Sequence, residues 1–188
     1  DSRGNIWLGT RRAGIVKFRD DMILNFREPH GLINTFITAF LEDNNGKMWF
    51  GTYGGGLGQY NGDLFRHFTE EDGLHDSFIR TIGQDKEGKL WLGSNSMGLF
   101  QFDGEKFYNY SFDQEVNDQR IRSVFRDSGD RLWMGTFGGS LISYYNNSFT
   151  FRDIIVDDIG VSITSVCEEP SVNICLVIHG NGILMLYD

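Results

Sequence analysis

Proline and cysteine are scarce in this chain, with two of each among 188 residues, and histidine occurs only four times. So little proline, set against 24 glycines and 40% hydrophobic residues, argues against a disordered tail and for a folded globular piece. Cys167 and Cys175 have neither a CxxC motif nor zinc-ligand spacing. They flank a turn near Ser171 and are expected to face each other across a hairpin, as free thiols or as a disulfide. Positive charge is in deficit: 17 basic residues against 26 acidic ones give a net charge of −9, spread without blocks. That balance disfavours nucleic acid and anionic membrane surfaces as partners. No apolar run approaches the roughly 18 residues needed to cross a bilayer, and no signal-peptide pattern opens the chain. Because the chain starts at Asp1, inside a repeat, the missing targeting segment carries no weight. Helical periodicity is missing too, since no segment keeps apolar residues at i, i+3, i+4 and i+7 over three turns.

What is present is a repeat. Trp7, Trp49, Trp91 and Trp133 follow one another at intervals of 42 residues, inside the segments DSRGNIWLGT, DNNGKMWFGT, DKEGKLWLGS and DSGDRLWMGT. Ile37, Ile79, Ile121 and Ile163 keep the same register, as do Phe18, Tyr60, Phe102 and Tyr144. Short β-rich runs with turn residues between them, repeating every 40 to 45 residues, are the signature of a propeller blade. The second repeat divides into strands A (36–42), B (47–52), C (56–60) and D (64–68). Strand B carries three consecutive apolar residues in the first four repeats, which predicts burial of both its faces between stacked blades. Tryptophan then fills the inter-blade space, Gly9, Gly51, Gly93 and Gly135 admit a neighbouring backbone, and Gly14, Gly56 and Gly98 allow turn geometry closed to other residues.

The fold class expected is all-β: a β-propeller segment of about four and a half four-stranded antiparallel blades in one domain, 1–188. The expected divisions are a partial blade at 1–34 (strands B, C and D), full blades at 35–76, 77–118 and 119–160, and a partial, degenerate blade at 161–188 (A, B and C). The two ends do not complement one another, and exposed blade faces are costly, so the chain reads as a segment of a larger ring.

In a four-stranded meander the D–A and B–C connections share one face, and the A–B and C–D turns share the other. The A–B turns repeat one Asp and Gly pattern, whereas the B–C turns vary: Arg11 and Arg12, Tyr53, Asn95, Phe137, His179. Structural roles recur from repeat to repeat, while ligand contacts need not. The D–A connections on the same face add His30, Glu71, Asp72, His75, Asp76 and Asn117, with Arg80 and Arg122 below them. The candidate ligand-binding set is therefore Arg11, Arg12, Tyr53, His75, Arg80, Asn95, Arg122, Phe137 and His179, a mixture of guanidinium forks, amides and aromatic platforms suited to a polar ligand. The plainer alternative for each of them is a solvated rim residue or an aromatic packed between blades.

Catalytic signals are weak: GSNSMG is not a GxSxG elbow, and there is no HExxH, P-loop or EF-hand loop. No catalytic residue, metal site or cofactor is expected. The pattern D-x-x-G-x-[ILM]-W-[LFM]-G-T-x-x-x-G-[IL], with EDGLHD at 71–76 and PHGLIN at 29–34, resembles the two-component regulator propeller repeat. That repeat builds periplasmic sensor regions of hybrid two-component systems in Bacteroides-like gut bacteria. The resemblance implies seven-bladed propellers, usually two in tandem, followed by an immunoglobulin-like domain, a membrane helix, a histidine kinase and a DNA-binding output region. It implies an oligosaccharide or other small polar ligand as partner, a location on the periplasmic side of the inner membrane with membrane contact through other regions only, and leaves a homodimer of the full sensor open. Two other readings stand beside it: a propeller enzyme such as a lyase or glycosidase, and a scaffold propeller that binds proteins.

Overall fold

The computed structural model describes residues 1–112, 114–156, 159–171 and 173–186. Strands β1 (Ile6–Gly9), β2 (Ile15–Arg19) and β3 (Met22–Phe26) form a three-stranded sheet. Next come β4 (Ile37–Glu42), β5 (Met48–Thr52), β6 (Leu57–Tyr60) and β7 (Phe65–Phe68), then β8 (Ile79–Gln84), β9 (Leu90–Ser94), β10 (Leu99–Phe102) and β11 (Phe107–Tyr110). A third full set is β12 (Ile121–Arg126), β13 (Leu132–Thr136), β14 (Ser140–Tyr145) and β15 (Ser148–Asp153). Each of these three sets is a four-stranded sheet in simple sequential order. A two-stranded ribbon, β16 (Ile155–Val156) with β17 (Ile159–Gly160), precedes the last sheet of β18 (Ile163–Glu168), β19 (Ile174–Ile178) and β20 (Gly182–Leu186). These all-antiparallel meanders are the blades of a β-propeller. The chain divides into two compact units, Asp1–Ile82 and Gly83–Asp188, with the division inside β8.

Local chemistry explains the meander. In the second sheet Asp43 shapes the A–B turn by accepting the Asn45 and Lys47 backbone N–H groups at 2.8 and 3.0 Å, and its other oxygen accepts the Trp49 indole N–H at 2.8 Å. Asp1 with Trp7, Asp85 with Trp91 and Asp127 with Trp133 repeat the indole contact at 2.7, 2.8 and 2.8 Å. The aspartate of the repeat is thus an anchor for the tryptophan as well as a turn residue. At the other end of β5, Thr52 donates to the Gly56 carbonyl and accepts the Gly55 N–H, both at 2.9 Å, which closes the B–C turn. Gly56 sits there at φ 71°, and a Cβ on it would lie 2.3 Å from the Phe68 carbonyl oxygen. Only glycine meets both demands.

Blades pack through apolar faces within each unit. Phe50, Met48 and Tyr60 join Ile15, Leu32 and Ile37 in the first unit's core. In the second unit Trp91, Leu99, Ile121, Leu132 and Met134 form one cluster, and Leu141, Ile163, Val166 and Leu176 belong to another. Gly135 keeps the second of these tight, since a Cβ there would stand 2.4 Å from Ile163 Cγ2.

One expectation needs correction, and two further features had no mark in the sequence. Strand β1 does not have both faces buried: Ile6 is 63% and Leu8 49% exposed, because none of the described residues covers that side of the first sheet. Ile183 shares a repeat position with Ile15, Leu57, Leu99 and Leu141, yet it is 69% exposed, lying on β20 at the edge of the last sheet, which has three strands among the described residues. Strand A is not a plain strand: its register shifts between Ile37 and Ala39, between Ile121 and Ser123, and between Ile163 and Ser165. Each shift is a bulge that leaves one extra residue, Thr38, Arg122 or Thr164, outside the paired register. Cys167 and Cys175 are directly opposed across β18 and β19, as expected, and both are free thiols.

Candidate functional site

The D–A connections and B–C turns do meet at one end of the strands within each unit. The Tyr53 N–H donates to the Phe36 carbonyl, and the N–H groups of Gly54 and Gly56 both donate to Ser77. In the second unit the Phe137 N–H donates to Arg120 and the His179 N–H to Ser162, each at 2.9 Å. Much of the D–A connection is structural. Glu70–Asp72 forms a 3-10 turn capped by left-handed Gly73, and Leu74, 1% exposed, plugs the core beneath; Glu28–His30, Gly31 and Leu32 repeat the arrangement. Asn34, Asp76 and Asp118, again 42 residues apart, each accept the backbone N–H two residues on, at 2.7, 2.9 and 2.9 Å. Asp76 is therefore 4% exposed and acts as a cap for strand A.

The first unit gathers two of the candidate residues into an aromatic row. The Tyr53 ring stacks on Phe36 with centroids 4.9 Å apart and meets the Phe78 ring edge-on at 4.5 Å, while the Arg11 guanidinium lies over the other partner, Phe36, at 5.1 Å. Tyr53 is still 43% exposed, so this row presents an aromatic face to solvent. Arg12 and His75 are exposed on the same unit, and Arg80 is half-buried at the start of β8. None of these three joins the aromatic row.

The second unit builds a different arrangement from equivalent positions. Phe137, 42% exposed, lies beneath the Arg120 guanidinium at 3.8 Å, with Arg122 at 5.5 Å from the same ring. Arg122 reaches Ser162 Oγ at 3.4 Å. Asp118 fixes Arg120 through Nε at 2.9 and 3.0 Å and through Nη2 at 2.5 Å. The guanidinium hydrogen bonds hold the Asp118 carboxyl below its usual range, and the same bonds raise Arg120. Beside the pair is a recess of about 320 Å³ lined by Ser96, Val116, Asn117, Asp118, Gln119 and Arg120. Asn95 is half-buried and His179 exposed in this unit.

Arg120 and Asp118 were missed in the sequence, although a signal was there. Phe36, Phe78, Arg120 and Ser162 occupy one repeat position, and that column varies as the B–C column does. The arrangement can do two things chemically: offer exposed ring faces for stacking, and offer guanidinium and amide groups for hydrogen bonds. Among the described residues no cluster of His, Cys, Asp or Glu has the geometry to hold a metal ion.

Comparison with known proteins accords with this architecture. The family profile described as two component regulator propeller matches residues 31–54, 73–96 and 115–138. No curated protein matches. Among solved structures, an extracellular domain assigned to a hybrid two-component system of B. thetaiotaomicron is similar, at 21% identity and TM-score 0.79, over 97% of this chain and 26% of that one. A second such B. thetaiotaomicron domain has 23% identity, TM-score 0.79 and the same coverages. Virginiamycin B lyase from Staphylococcus aureus has 16% identity and TM-score 0.81, over 100% of this chain and 64% of that one. The chain thus spans about a quarter of the length of the B. thetaiotaomicron structures and a larger part of the lyase. These likenesses establish the propeller fold, and the profile identifies three repeats within it: the chain is a β-propeller segment that carries two-component regulator propeller repeats at 31–54, 73–96 and 115–138.

Proposed function

We propose that this segment belongs to an extracytoplasmic sensor, where it binds an oligosaccharide or a similar polar ligand through its B–C and D–A face and signals to a histidine kinase elsewhere in the full protein. The observation that carries the reading is the pairing of exposed rings with guanidinium groups at equivalent places: Tyr53 with Phe36 and Arg11, Phe137 with Arg120 and Arg122. Sugar rings present apolar faces that stack on aromatics and hydroxyls that bond to amides and guanidinium groups. The Asp118 carboxylate is tied to the Arg120 guanidinium, which suits the pair to holding the guanidinium in place for a ligand rather than to moving protons. The extracellular B. thetaiotaomicron sensor domains lend this reading support by resemblance.

The test is calorimetry of the protein against a panel of neutral and acidic oligosaccharides, with Tyr53→Ala and Phe137→Ala as probes. Loss of affinity of about tenfold or more in either variant is expected, in line with one lost stacking contact. Unchanged affinity in both would remove this face as the site. The likeness to virginiamycin B lyase keeps a propeller enzyme as the second reading, and release of cleaved products from the same panel would favour it.

A further inference from the structure

The last sheet carries three sulfur atoms in one row. Cys167 on β18 is directly opposed to Cys175 on β19, and Cys175 in turn is opposed to Met185 on β20. Residues directly opposed on antiparallel strands share a face, so two thiols and a thioether come together across three adjacent strands. The Cys175 thiol donates to Met185 Sδ at 3.1 Å. Cys167 is exposed, and Cys175 and Met185 are half-buried, which leaves the row open to an ion from solvent.

The row stands where the preceding blade has a different device. There the same repeat positions hold Phe125, Trp133 and Ser143, again directly opposed, and the Trp133 indole N–H donates to Asp127 at 2.8 Å. One repeat further on, Cys175 replaces the tryptophan and Glu169 the aspartate. With no indole to hold, the Glu169 carboxylate accepts the Ser171 hydroxyl at 2.6 Å and the Asn173 amide at 2.5 Å, inside its own turn. The carboxylate is occupied, and what the row offers is sulfur.

Sulfur donors select the ion. Thiolates and thioethers favour soft cations such as Cu(I), whereas calcium and magnesium require oxygen, and zinc takes thiolate and imidazole rather than thioether. Histidine, cysteine and carboxylate side chains alone make no metal cluster among the described residues, and Met185 supplies the third ligand. Partial burial, then the neighbouring Cys167 thiol, pushes the Cys175 thiol up. A scarce thiolate slows disulfide exchange, while a soft ion displaces the thiol proton directly.

We infer that Cys167, Cys175 and Met185 form a three-coordinate site for a soft monovalent cation of the Cu(I) class. Binding releases the two thiol protons to solvent, forms two metal–thiolate bonds and one metal–thioether bond, and moves no electron. The ion ties edge strand β20 to β18 and β19. The site lies beside the A–B turn, at the other end of the strands from the aromatic face, so it stands or falls independently of the sensor reading.

Ag(I) serves as the probe, because it shares the charge and the preference for sulfur and is stable in air. Reduced protein in chloride-free buffer is titrated by calorimetry and by thiolate-to-metal absorbance, with Zn(II) for comparison. One Ag(I) per chain is expected, with Zn(II) at least about tenfold weaker and a higher melting temperature once Ag(I) is bound. Met185→Leu keeps the size and apolar character of the side chain and should weaken Ag(I) binding at least about tenfold. If that variant does not fold, Cys167→Ser, at an exposed position, is read in the same way. No saturable uptake, Zn(II) bound as tightly as Ag(I), undiminished affinity in the folded variant, or closure of a Cys167–Cys175 disulfide in place of uptake would each overturn the proposal.

Discussion

The carboxylate of Asp85 accepts the Lys89 N–H with one oxygen and the Trp91 indole N–H with the other, both at 2.8 Å. Trp91 is fully buried, so removing this acceptor strands a donor where water cannot follow. Asp85→Ala should lower stability by about 2–3 kcal/mol in urea denaturation, and Asp85→Asn by less, because the amide oxygen can still serve one donor. The Asp118 carboxyl behaves differently, being part-exposed and held low by Arg120. A carboxyl lowered on folding contributes stability above its unfolded value, about 3.9, and loses that contribution as pH falls through the folded value. Solvent screening keeps the effect small. Asp118→Asn should therefore melt slightly below the parent near neutrality, with the difference shrinking as pH drops below about 4, as calorimetric scans would reveal. The Asp-to-Trp spacing was visible in the sequence, but the indole bond was not, because a turn explains the aspartate equally well. Arg120 was hidden for another reason: its column holds phenylalanine in two repeats and reads as packing.

Strands and turns follow closely from the pattern of residues. The expected strand B at 47–52 is β5 at Met48–Thr52, and expected strand D at 64–68 is β7 at Phe65–Phe68. The connecting motif DGL has a mechanical meaning at this scale: a 3-10 turn, a left-handed glycine and a leucine driven into the core. Leu74→Ala should cost about 2–5 kcal/mol, the range for a buried leucine that leaves a cavity, measured by the shift of the urea midpoint. A surface substitution in the same turn, Glu71→Ala, should stay within about 0.5 kcal/mol. The bulge in strand A escaped the sequence because an extra residue in one strand leaves no mark on composition or spacing; only the partner strand shows that two residues face one. Its consequence reaches the candidate site, since Arg122 stands on that bulge and is directed toward Phe137 and Ser162.

For the chain as a whole, the outstanding surface feature is the open side of the first sheet, where Ile6, Phe18 and Ile23 line up across β1, β2 and β3. Ile6 and Ile23 are 63% and 66% exposed, whereas Met48 and Tyr60, at the positions of Ile6 and Phe18 in the second sheet, are buried in the core of the first unit. Such a face favours association. The 188-residue chain should show concentration-dependent self-association in sedimentation, suppressed by Ile6→Lys with Ile23→Lys without loss of melting temperature; association unchanged in that variant would mean another surface is responsible. The net charge of −9 sets a background of repulsion between copies of the chain. By itself, the sequence determined the all-β class, the 42-residue blade and the face on which side chains vary, because each depends on periodicity, and periodicity survives in one dimension. Tertiary structure alone decided that Tyr53 stacks on Phe36 and that Arg120 rather than Arg122 lies closest over Phe137. Those outcomes turn on contacts between residues 15 to 17 positions apart, whose distances are set by bulges and blade packing rather than by spacing along the chain.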